Sequence, residues 1–107
     1  MEPVEINAGA WYLRALRTDN LMDDRPALRE LGETDPDHVG RAACDWTADL
    51  RYTWAVCEPT TGELLAEVAL RCDTGDVSAR ARHGHEDAAD AATAAVRRFA
   101  TALELGS

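Results

Sequence analysis

The chain is predicted to fold as an α+β protein, an antiparallel sheet with helices packed on it, in the order β-α-α-β-β-β-α. Three observations predict this. Residues 51–71 read as a hairpin, two apolar runs flanking the turn Pro59-Thr60-Thr61-Gly62. Residues 77–82 alternate apolar and polar with period two, the pattern of a half-exposed strand. Residues 86–105 place Ala88, Ala92, Ala95, Val96, Phe99 and Leu103 on one helical face.

Taken in order, residues 1–9 are expected to be a flexible lead-in or an edge segment, with Val4 and Ile6 able to add a short strand. Residues 10–17 form the first strand. Trp11, Leu13 and Ala15 share one face; Tyr12, Arg14 and Leu16 share the other. After a polar loop, Asp24-Arg25-Pro26 reads as a helix start, Asp capping and Pro in the first turn. Asp35-Pro36-Asp37 repeats that signal. The second helix should bury Val39, Ala43, Trp46 and Leu50, with Trp46 as its anchor on the sheet.

In the hairpin, neither face of residues 52–57 is polar, so that strand should be covered on both sides. Its partner should turn Leu64, Ala66, Val68 and Leu70 to one face. Pro59 presets φ in the turn and Gly62 accepts a positive φ. The last helix carries Glu86 and Asp87 in its first turn, as the helix dipole prefers, and should stop at Gly106-Ser107.

The chain's 107 residues are read as one domain with one modest core. The net charge of −9 opposes binding to nucleic acid phosphates and to anionic lipid. It favours a cationic partner at long range. All eleven cations are Arg, which with the Ala content reads as a coding bias. Cys44, Cys57 and Cys72 are odd in number and show no CxxC spacing, so neither a disulfide framework nor a zinc site is expected. No signal peptide and no apolar run of about 18 residues is present, and a cytoplasmic protein is expected.

The local text resembles the GNAT (N-acetyltransferase) superfamily. Trp11-Tyr12-Leu13-Arg14-Ala15-Leu16-Arg17, followed by an acidic loop and Asp24-Arg25-Pro26-Ala27-Leu28, is similar to that family's opening strand and first helix. Trp54-Ala55-Val56-Cys57-Glu58 and Thr61-Gly62-Glu63-Leu64-Leu65-Ala66-Glu67-Val68 are similar to its second and third strands. The resemblance covers residues 8–70 and implies the family's N-terminal half. It implies acetyl transfer from acetyl-CoA, as co-substrate, to a primary amine.

In that family a Gly-rich loop cradles the coenzyme pyrophosphate against a helix N-terminus. The matching stretch here starts at Arg80 and departs from the motif: Ala81 stands for its Arg or Gln and Glu86 for its second small residue. The resemblance assigns pyrophosphate contacts to Arg80, Arg82, Gly84 and His85. It carries over no catalytic residue, since strand 77–82 holds no Glu; Glu58 and Glu67 are the nearest carboxylates. Each is as readily a charge that keeps a strand edge soluble.

Two further readings stay open. One is a non-catalytic homodimeric binding or assembly module, pairing through the open edge of residues 77–82 or through the Ala-rich helices. The other rests on residues 52–105, which resemble the ribosome-hibernation factors and imply RNA binding. Only Arg97 and Arg98 would present charge there on the last helix. His83 and His85 with Glu86 and Asp87 offer side chains of metal-ligand type, but they make no full ligand set. His38 reads as a helix-surface residue. Cys57 would be a nucleophile only beside a base that lowered its pKa.

Overall fold

The structure, a computed structural model, describes residues 1–104. Eight elements follow in order: β1 (Ile6–Ala8), β2 (Trp11–Ala15), α1 (Arg25–Glu30), α2 (His38–Ala48), β3 (Arg51–Cys57), β4 (Leu64–Arg71), β5 (Val77–Ala81) and α3 (Glu86–Ala102). The strands form one antiparallel sheet in the order β1-β2-β3-β4-β5. The predicted α+β class and element order hold, with β1 pairing along β2 where the sequence left a lead-in or short strand. The last helix, expected to run to Leu105, ends at Ala102: Leu103 is its C-cap and is exposed, and Glu104 takes a positive φ of 59°. The expected stop at Gly106-Ser107 lies outside the described residues. No helix among the described residues is long and apolar enough to cross a membrane.

Helices cover both faces of the sheet. Under α3, Leu13, Tyr52, Trp54, Val56, Ala66, Val68 and Leu70 pack against Ala88, Ala92, Ala95 and Val96. Alanine favours the helix, and its single methyl lets the helix backbone lie close to the strands. Under α1 and α2, Leu16, Ala55, Cys57 and Leu64 pack against Leu28 and Ala42. Central β3 is therefore buried at every position after Arg51, as its two apolar faces predict.

Four local expectations are corrected. Asp24 stands at the N-cap of α1 with Pro26 in the first turn, as expected, and its carbonyl accepts from the Leu28 N–H, but its carboxylate makes no cap bond; Asp35 does not cap α2. Neither α1 nor α2 has a side-chain cap bond, and α2 begins at His38, after Asp37. The Asp35 carboxylate instead accepts from the Asp37 N–H at 2.9 Å, an Asx turn that holds Pro36 outside the helix. Asp24 is drawn into the interior by Arg14, which β2 points under α1.

The inward face of α2 carries Ala42 and Trp46, while Ala43 and Leu50 are exposed. Trp46 is the anchor expected: it stacks on Tyr52 at 4.4 Å and meets Trp54 edge-on at 5.0 Å. Its indole N–H donates to the Thr53 carbonyl at 3.1 Å, just beyond the stretch of β3 that β2 pairs.

Leu64 faces the α1/α2 side and not the α3 side with Ala66. The ladder shifts register between Val56 and Cys57, so Cys57 opposes Leu64 while Val56 opposes Ala66. An irregularity of one residue reverses the side on which a strand's apolar set lies. The hairpin turn itself forms as expected. Gly62 sits at φ +72°, where a side chain would be strained, and its carbonyl accepts from Arg14 at 3.0 Å.

Candidate functional site

The covering of the α1/α2 face stops short of β5 and leaves a trough of about 500 Å³. One wall is α2, which presents His38, Arg41, Ala42 and Asp45 at helical spacing. The floor comes from three strands. Thr53, Ala69 and Ser78 are opposed across β3, β4 and β5; Ala55, Glu67 and Arg80 form the next row. Glu33, Asp35 and Arg51 complete the lining used below.

At one end four side chains close a ring. Glu67, only 7 % exposed, lies 2.6 Å from His38 Nε2 through Oε2 and accepts from Arg80 Nε at 2.8 Å through Oε1. Glu33 accepts from Arg80 Nη2 at 2.8 Å and stands 3.3 Å from His38 Nδ1. The Arg80 hydrogen bond, with that from the Asp35 N–H, holds the Glu33 carboxyl below its ordinary range. Burial works against the Arg80 charge, but Glu33 and Glu67 outweigh it and leave the guanidinium more firmly protonated than usual. A buried carboxylate touching a histidine is the arrangement of a general acid–base pair, here tied by Arg80.

The sequence candidates separate in space. Glu67 is in the trough. Glu58 is in the hairpin turn, where its carboxylate accepts from the Thr61 N–H at 2.8 Å. Backbone N–H groups of Thr60 and Thr61 hold that carboxyl below the usual range. Arg80 belongs to the ring. Arg82 is held between Glu30, at 2.7 Å, and Glu63. Gly84, at φ +86°, turns the chain into α3, and His85 precedes that helix without a side-chain cap.

Those residues match a coenzyme A pyrophosphate poorly in charge. Such a group needs unneutralised cations and free N–H groups at a helix start. Each arginine is already between two carboxylates. The His85 N–H donates to the Arg82 carbonyl at 2.9 Å. The Ala88 N–H donates to the His85 carbonyl and the Asp87 carboxylate. Glu86 and Asp87 in the first turn add negative charge where the phosphates would lie.

Among the described residues, no three His, Cys, Asp or Glu side chains are grouped as a metal ion would require, His83 and His85 included. Cys57 is buried, and that burial pushes its thiol up to about 12, with Arg14 acting weakly the other way. It is no thiolate nucleophile at neutral pH. Cys44 is exposed and lies apart from the ring.

His38 and Glu33 are the ring residues that sequence reasoning passed over. A single histidine at a helix start looks like surface, and its partner Glu67 is 29 residues away. The available signal was Glu67 itself, a charge interrupting an apolar strand.

No family model matches the sequence, and no curated protein does. A solved structure does: a Vibrio cholerae protein to which ribosomal-protein-serine acetyltransferase activity has been ascribed. It superposes with a TM-score of 0.73 over 98 % of this chain and 72 % of its own, at 17 % identity. At that identity the likeness speaks for the backbone and not for the chemistry: the chain has a GNAT-like fold.

Proposed function

We propose that this chain is a binding module on a GNAT-like fold, with the trough between α2 and β5 as its ligand site, and that it works without coenzyme A. One observation carries the reading. Arg80 and Arg82, the cations that would meet a pyrophosphate, are each held between two carboxylates. Freeing Arg80 would leave the buried Glu67 and the half-buried Glu33 without their partner, at a cost that a coenzyme contact must first offset, whereas the partners of Arg82, Glu30 and Glu63, are exposed.

The competing reading is acetyl transfer from acetyl-CoA to a primary amine. The fold likeness and the Glu67–His38 contact favour it. Calorimetric titration with acetyl-CoA, and separately with free CoA, decides between the two. The binding-module reading expects no heat at millimolar ligand. Micromolar binding of either would overturn it and restore the transferase reading.

Assembly belongs to the same proposal. Among the described residues the outer edge of β5 pairs with no strand. The apolar stripe of α3 is buried on its own sheet, so a second copy would meet at β5 and not at the helices. Light scattering is expected to give twice the chain mass at micromolar concentration; a monomer at high micromolar concentration would refute the dimer.

A further inference from the structure

The ring at one end of the trough is complete, and Arg41 pairs with Asp35 at 2.9 Å. Two charged groups lining the trough remain without an ion-pair partner among the described residues, and they are opposite in sign: half-buried Asp45 and exposed Arg51. They belong to the same end. From His38 to Asp45 the helix advances two turns, about 10 Å away from the ring, and the chain then enters β3 at Arg51. Between the two ends lie two hydroxyls. Thr53 is only 4 % exposed, lines the trough, and its hydroxyl bonds to no described residue. That hydroxyl is not sealed from water, so a ligand lying in the trough can meet it. Ser78 stands in the same row, two strands away, also lining the trough.

We propose that the trough binds a small zwitterion, a free α-amino acid with a polar side chain. Its ammonium meets Asp45 and its carboxylate meets Arg51, whose planar fork suits a carboxylate. Its side chain runs over Thr53 and Ser78 toward Glu67. The trough's volume lies within the range of small-molecule pockets. Opposite charges at one end and neutral hydroxyls beyond them match a ligand that is itself neutral overall. A simple amine would leave Arg51 unmet, and a simple carboxylate would leave Asp45 unmet. The assignment rests on the binding-module reading and names its ligand class.

The test is amide chemical-shift mapping on the whole ¹⁵N-labelled chain with L-serine and L-glutamine. Ethanolamine and 3-hydroxypropionate serve as controls, because each is serine lacking one of its two charges. Serine or glutamine is expected to shift the amides of Asp45, Arg51, Thr53 and Ser78. Each half-ligand should bind about tenfold or more weakly, as should serine to Asp45→Asn or Arg51→Gln, since a charge-assisted contact is worth about that factor. Both substitutions alter side chains outside the core, and circular dichroism checks that each variant stays folded. No shift with either amino acid at tens of millimolar would overturn the proposal. So would a half-ligand binding as well as serine, or shifts confined to residues elsewhere. Acetyl-CoA added to the same sample separates the two failures. Its binding refutes the coenzyme-independent reading, whereas silence from all ligands refutes only the amino-acid assignment.

Discussion

Asp24→Ala is expected to lower the free energy of unfolding by about 3–5 kcal/mol, the usual loss when one partner of a buried ion pair is removed. The pair is among the most enclosed polar groups of the fold, with Arg14 at 5 % and Asp24 at 2 % exposure. Two parallel hydrogen bonds of 2.8 Å join them, and Asp24 also accepts from the Arg17 N–H at 2.6 Å. Arg14 reaches on to the Gly62 carbonyl, so one guanidinium ties β2, the start of α1 and the hairpin turn together. Burial alone would weaken its charge, but its bonding to Asp24 raises its hold on the proton above the usual. Removing Asp24 strands that cation in a dry site. The double replacement Arg14→Met with Asp24→Leu removes both charges, and should be more stable than the Asp24→Ala single. Urea titration followed by circular dichroism measures all three. An Asp24→Ala midpoint equal to the parent's would show that Arg14 finds water in the folded state.

The same pair shows what could be read from the sequence and what could not. Period two in residues 11–16 put Arg14 on the face opposite Leu13, correctly. Asp24 before Arg25-Pro26 had the form of a cap, and local text offers no sign that a strand ten residues earlier will claim the carboxylate. The hairpin, the half-exposed β5 and the apolar stripe of α3 were legible because each depends on spacing within one element. The ring was not. Glu33, His38, Glu67 and Arg80 come from four separate segments and meet only once α2 has docked on the sheet at β3. Glu67 alone announced itself, as a charge inside an otherwise apolar strand. The turn of Leu64 to the other face escaped for the opposite reason: its alternation was regular, and the ladder was not.

Trp54→Ala should produce a loss as large, about 3–5 kcal/mol, by a different route. Trp54 is fully buried at the centre of the α3 face. Trp46 meets it edge-on at 5.0 Å, Phe99 at 5.5 Å and Tyr52 at 6.4 Å. The four rings come from α2, β3 and α3, so a cavity at Trp54 loosens both helical layers at once. Its indole N–H also donates to the Val4 carbonyl at 2.6 Å and fixes the segment leading into β1. Set against a total stability of roughly 5–15 kcal/mol, the loss should leave a measurable unfolded fraction at room temperature or lower the urea midpoint steeply. Trp54→Phe keeps a ring in the cluster and gives up the Val4 bond, so it should cost only about 1–2 kcal/mol. The ratio of the two losses is the informative quantity. If Phe costs as much as Ala, the Val4 contact and the ordering of the first residues dominate. If Phe is nearly silent while Ala is severe, the aromatic cluster holds the layers, as the packing requires. An Ala variant as stable as the parent would mean that α3 and β3 do not share one core.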